Sequence, residues 1–152
     1  MKVLYESTQK ARTWMLIFMV AFVFFSVAIF YPVFASDLLL QPQHILAPLV
    51  MLLVMLMFYQ LRIRVFADHI KLTYGIGLNI NLKFDRILKA DPIKTPWYYG
   101  FGIRITPQGM LYNIQGRTAL VVYYERNGKP KKVMIGTDKP DELFKALQKL
   151  MK

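Results

Sequence analysis

Residues 14–35 read WMLIFMVAFVFFSVAIFYPVFA, a stretch without a charge in which the run Met15–Phe30 is broken only by Ser26. A helix rises ~1.5 Å per residue, so about twenty apolar residues cover the ~30 Å hydrocarbon core of a bilayer. Backbone amides find no water there, so a spanning stretch of this kind is helical. A helix packed inside a water-soluble core would carry a polar face, and this one carries none. The stretch therefore predicts a transmembrane helix.

A second apolar segment follows. Ile45 to Leu61 is interrupted only by Gln60, and Pro48 falls in its first turn, where proline costs little. Seventeen residues are near the lower limit for a span. Starting near Leu38, or running on through Arg62 and Arg64, whose long side chains can snorkel to headgroups, would lengthen it. A re-entrant or interfacial segment is the alternative. The connecting Ser36–Gln43 holds no Lys or Arg, whereas Lys10 and Arg12 precede the first segment and Arg62 and Arg64 end the second. The positive-inside rule then predicts a multi-pass protein with both termini in the cytoplasm. Val33-Phe34-Ala35 also resembles a signal-peptide cleavage site, but the apolar run before it is longer than the usual 7–15-residue h-region.

Charge divides the chain in the same place. The sequence is 55% hydrophobic yet has a net charge of +11. Lys2, Lys10 and Arg12 against Glu6 and Asp37 leave residues 1–61 at +1, whereas seventeen Lys/Arg against seven Asp/Glu put residues 62–152 at +10. The partition predicted is a short cytoplasmic segment over 1–12, a transmembrane hairpin over 13–64 and a basic domain over 65–152. With no cysteine, disulfides and thiolate metal sites are excluded.

Beyond Arg64 the pattern alternates. Ile70, Leu72 and Tyr74, then Ile76, Leu78, Ile80, Leu82 and Phe84, are separated by Lys71, Thr73, Asn79, Asn81 and Lys83. Period two marks strands with one buried face. Gly75-Ile76-Gly77 reads as the turn between them, and Arg86–Lys94, Phe101–Thr106, Met110–Ile114, Thr118–Arg126 and Lys131–Thr137 continue the series. Asn127-Gly128 joins the last two as a two-residue hairpin. Leu143, Phe144, Leu147, Leu150 and Met151 then form one stripe of a terminal helix, with Pro140 in its first turn and Thr137-Asp138 before it. The expectation is a membrane-anchored α+β protein whose antiparallel barrel or sandwich of about seven strands is capped by an amphipathic helix.

Residues 62–152 resemble the bacterial pleckstrin-homology-like (PH-like) domains of small membrane proteins, and the membrane expected to hold the chain is the cell inner membrane. The likeness rests on Phe66-Ala67-Asp68-His69-Ile70-Lys71-Leu72, Lys83-Phe84-Asp85-Arg86-Ile87, Tyr99-Gly100-Phe101-Gly102-Ile103-Arg104 and Gly136-Thr137-Asp138-Lys139-Pro140. It implies a fold rather than a chemistry. PH domains that select phosphoinositides use basic residues in the loop joining their first two strands. The corresponding Tyr74–Leu78 has none.

Little points to catalysis. Ser7, Ser26 and Ser36 are the only serines and all lie outside the basic domain, and no base is paired with the remaining nucleophiles. His44 and His69 are too few and too far apart to predict a metal site. Neither Gly75-Ile76-Gly77 nor Gly100-Phe101-Gly102 extends to a phosphate-binding fingerprint. No catalytic, cofactor-binding or metal-binding residue is predicted, and no nucleic-acid partner.

The function expected is that of a non-enzymatic scaffold acting through an unidentified protein partner or as a homo-oligomer. Met19, Ala21 and Ala28 permit close helix–helix contact. The alternative is binding to anionic lipid headgroups of the bilayer. Its contact residues would be Arg62, Arg64, the aromatic pair Trp97 and Tyr98, and Lys129, Lys131 and Lys132 of the hairpin tip, a run whose plainer reading is a solvated turn.

Overall fold

The structure is a computed structural model that describes residues 3–35 and 42–151. Among the described residues nine strands form two sheets, accompanied by three helices. The first sheet is a four-stranded antiparallel meander of β1 (Tyr5–Lys10), β2 (Gln60–Val65), β3 (His69–Tyr74) and β4 (Leu78–Lys83). The helices α1 (Arg12–Ala35) and α2 (Pro42–Phe58) are inserted between β1 and β2. The second sheet has the order β5-β8-β9-β7-β6, built from β5 (Arg86–Lys94), β6 (Gly102–Thr106), β7 (Gly109–Asn113), β8 (Thr118–Arg126) and β9 (Lys129–Gly136). A 3-10 turn at Trp97–Tyr99 precedes β6, and α3 (Pro140–Gln148) ends the chain's regular structure.

Alternation explains how the layers meet. Leu61, Ile63 and Val65 of β2 and Ile70, Leu72 and Tyr74 of β3 point inward and are buried, while Arg62, Arg64, Lys71 and Thr73 point out. They share one core with Ile87, Tyr112, Leu120, Val122, Val133 and Ile135 of the second sheet. Each such aliphatic side chain contributes ~1.5–3 kcal/mol when fully buried. Helix α3 closes this core with Leu143 and Leu147, both inaccessible to solvent. A register shift between Ile87 and Lys89 breaks the alternation of β5 and leaves Leu88 exposed. The opposite face of the second sheet carries a smaller cluster of Leu111, Ala119, Val121 and Met134.

Several expectations are corrected. Among the described residues, no helix is long and apolar enough to cross a membrane. That overturns the transmembrane hairpin over 13–64 and, with it, multi-pass placement in an inner membrane with both termini cytoplasmic. Helix α2 has 17 residues, ~25 Å at the usual rise and short of the ~30 Å core. The connecting residues 36–41, which carry the charge argument for topology, lie outside the described residues.

The seven-stranded barrel is also replaced, by two sheets of four and five strands. Residues 60–65 do not extend the second helix: α2 stops at Phe58, and Leu61, Ile63 and Val65 alternate with Arg62 and Arg64 as β2. Nor is the second sheet wholly antiparallel, because β7 and β9 pair in parallel through Met110, Leu111 and Tyr112. The amino-terminal segment holds β1, whose residues pair with β2 from Tyr5↔Val65 to Lys10↔Gln60.

Candidate functional site

Where β1 runs into α1 and α2 returns to β2, the chain makes a rigid root. The Ala11 amide donates to the Tyr59 carbonyl at 2.9 Å, the Gly75 amide to the Gln60 carbonyl at 2.9 Å, and the Ile76 amide to the Leu56 carbonyl at 3.3 Å. Phe58 meets the ring of Tyr74 edge-on, with centroids 5.7 Å apart. The two helices are therefore tied to the first sheet at their inner ends by backbone and ring contacts.

Beside this root lies a cleft of about 580 Å³. One wall is Met15 and Phe18 of α1 with Val54, Met55 and Phe58 of α2. The facing wall is Trp97, Gly100, Phe101 and Gly102, with Ile114 beside them and Arg104 supplying the charge. Gly100 and Gly102 both have positive φ, +63° and +91°, a conformation that side-chain-bearing residues resist. Between them the carbonyl of Phe101 accepts a 3.1 Å hydrogen bond from Nε of Arg104. The guanidinium lies against Gly100, where a Cβ would be 3.4 Å from Nε and Nη2. Among the described residues no carboxylate pairs with Arg104.

Around the cleft the surface is unusually apolar. On α1 the large side chains Phe24, Phe25 and Tyr31 are 68%, 55% and 72% exposed, and Leu16, Val20 and Val27 are also open. On α2, Leu46, Leu49, Leu53 and Leu56 are exposed, and Trp97 stands 79% clear of the protein. An aromatic side chain carries ~150–250 Å² of surface, so the three aromatics of α1 alone leave roughly 300–500 Å² uncovered. That already equals the largest apolar patch of a typical monomer, ~300–600 Å².

The seven residues expected to touch a lipid surface fall into three separate groups. Arg62 and Arg64 lie side by side on the outer face of the first sheet and converge on Glu6, with Nε–Oε1 distances of 3.7 and 3.0 Å. Trp97 and Tyr98 are neighbours in the 3-10 turn, their rings edge-on at 6.2 Å. Lys129, Lys131 and Lys132 belong to the β8–β9 hairpin, where Lys132 Nζ sits 5.6 Å from the centre of the Tyr123 ring. Trp97 follows Thr95, which bonds Arg117 just before β8, whereas the hairpin tip follows Arg126 at the other end of that nine-residue strand. At ~3.4 Å per residue the two groups stand roughly 27 Å apart along β8. Asp85 caps the hairpin tip, accepting the Asn127 amide at 2.6 Å.

Sequence reasoning passed over Arg104 and the apolar cleft walls. The signal present was Gly100-Phe101-Gly102, which reads as a turn and also shapes the cleft wall. The histidines show no convergence: His69 stacks on Phe66 with centroids 4.4 Å apart and contacts Asp68 at 2.7 Å. That contact holds the exposed Asp68 carboxyl below its ordinary range. Among the described residues no three His, Asp or Glu side chains are grouped to hold a metal ion. No family model, curated protein or solved structure matches the chain.

Proposed function

We propose that the protein is a non-enzymatic interaction module that associates with copies of itself through the exposed apolar faces of α1 and α2. The observation that carries this reading is the set of large apolar side chains exposed on the described parts of those helices, held on a root that is hydrogen-bonded into the first sheet. Uncovered surface of this extent marks a contact site, and removing it from water yields ~25 cal/mol per Å². The small side chains Ala21 and Ala28 let a second helix approach closely.

Anionic-headgroup binding by the basic residues has less support. Its contact residues are split among three places, and two of them, Arg62 and Arg64, already share Glu6.

Sedimentation of the purified chain across a concentration series tests the proposal. An oligomer that dissociates when Phe24 and Phe25 are both replaced by Gln is the expected result. A wild-type chain that stays monomeric throughout the series would overturn it.

A further inference from the structure

The cleft at the helix root has a composition that the self-association surface does not need. Its walls are methionine, valine and aromatic side chains, and its one charged group is a guanidinium with no carboxylate partner among the described residues. Small-molecule sites typically enclose ~300–1,000 Å³, are mostly apolar and fix orientation with very few polar groups. A cleft of about 580 Å³ with Arg104 at its edge fits that description.

We propose that this cleft binds a free single-chain anionic amphiphile. Its hydrocarbon would lie against Met15, Val54, Met55 and Phe58, and its carboxylate or phosphate head on Arg104. Three features select this class over a neutral apolar molecule or a polyanion.

The first is the arginine's restraint. Nε donates to the Phe101 carbonyl and the guanidinium rests against Gly100, which holds it at the edge of the cleft. The terminal nitrogens then remain to take an anionic head, and a guanidinium fork matches a carboxylate or phosphate. The second is charge complementarity, since Arg104 is exposed at the cleft edge and among the described residues no carboxylate pairs with it. The third is the number of charges. Only Arg104 among the lining residues is ionisable, so a head of one or two negative charges fits and a polyanion does not.

The cleft shares Met15, Phe18, Val54, Met55 and Phe58 with the helices proposed to self-associate, but its head-group end, Trp97, Gly100 and Arg104, lies off them, so the two readings are separated by measurement. The test uses fluorescence. Trp14 and Trp97 are the two tryptophans, so the Trp14→Phe chain reports on the cleft through Trp97 alone. Titration with dodecanoate below its micellar concentration is expected to shift Trp97 emission saturably. Arg104→Gln is expected to weaken dodecanoate about tenfold or more, the scale of one lost charge-assisted contact, while leaving dodecanol within about twofold. Val54→Trp, read by competition with a fluorescent fatty acid, fills the cleft and is expected to abolish binding of both compounds. Circular dichroism establishes that each variant is folded.

Equal loss of dodecanoate and dodecanol in Arg104→Gln would overturn the assignment of the head group. Unchanged dodecanoate binding in both folded variants would place the ligand elsewhere. Capture of phosphatidylglycerol vesicles without binding of monomeric dodecanoate would show a lipid surface to be the partner, which also overturns the proposal. Sedimentation run alongside separates these outcomes from failure of self-association.

Discussion

Gly75 lies so close to the end of α2 that a Cβ on it would sit 2.0 Å from the carbonyl oxygen of Leu56 and 2.4 Å from that of Met57. Its φ of +44° adds a second reason for glycine at this turn. The β3–β4 turn is therefore the seat on which the second helix rests. Gly75→Ala is expected to cost about 2–4 kcal/mol, because the obstruction is backbone that has nowhere to move. Gly77, in the same turn, has nothing within 4 Å of an added Cβ and lacks a positive φ. Gly77→Ala should change stability by no more than ~1 kcal/mol. Urea unfolding of the two variants side by side checks the contrast.

A second long-range tie joins the two ends of the sequence. The buried amide of Gln9 in β1 donates to the carbonyl of Gln115 at 2.7 Å and to the carboxylate of Asp138 just before α3. Replacing Gln9 by Ala strands both acceptors and should cost about 1–3 kcal/mol. A double-mutant cycle with Asp138→Ala is expected to return a coupling of ~0.5–3 kcal/mol, since the groups touch directly. Additive single effects would mean that the contact is energetically idle.

Gln9 also shows why part of the fold escaped sequence reading. Strand β1 reads YESTQK, and its inward residues are Tyr5, Ser7 and Gln9 rather than a row of aliphatics. Hydropathy alternation cannot register a strand whose buried position is an amide that donates to distant partners. β2 was hidden for another reason: Leu61, Ile63 and Val65 continue an apolar run, so the change from helical to extended period falls inside it. The strands from Ile70 onward and the Asn127-Gly128 turn were legible because alternation and turn chemistry agree there, with φ of +53° and +69° at the two turn residues. The parallel pairing of β7 with β9 is a non-local choice that no local pattern encodes. Residues 14–35 misled for a physical reason too. Absence of charge is common to a membrane span and to a helix whose open face awaits a partner. Arg104 was invisible as a site residue because its cleft is assembled from α1, α2 and the turn before β6.

Asn113 and Gly136 predict a local packing limit. Asn113 is wholly buried; its side-chain oxygen accepts the Ile114 amide at 2.8 Å and its nitrogen donates to the Gly116 carbonyl at 3.0 Å. A Cβ on Gly136 would lie 2.2 Å from that same oxygen. Gly136→Ala must displace a doubly bonded side chain, and a loss of about 2–3 kcal/mol is expected. Thermal unfolding reads it directly. If Asn113 is the obstruction, the paired change Asn113→Ala with Gly136→Ala should cost less than the sum of the two single changes.

The buried tyrosines set the alkaline limit of the fold. Tyr74 is inaccessible to solvent, and burial, with the neighbouring Tyr112 adding to it, drives its phenol far above the ordinary value of ~10. Burial also raises Tyr112 and Tyr124, and the three rings belong to the same core. In the unfolded chain these phenols lose their protons near pH 10, whereas in the folded chain they keep them. The native state therefore binds more protons above that pH, and the free energy of unfolding falls as pH rises. Their contribution is fully present below pH ~10 and is progressively lost above it, up to the raised folded values. Tyr74→Phe removes the largest of these differences and gives up only a 3.4 Å hydrogen bond to the Asn113 carbonyl. Near pH 8 the variant should differ from wild type by ~1 kcal/mol or less, and between pH 10 and 11.5 its stability should decline less steeply. Urea midpoints measured at half-unit steps from pH 8 to 11.5 test this, and parallel curves for the two proteins would rule out Tyr74 as the residue that sets the limit.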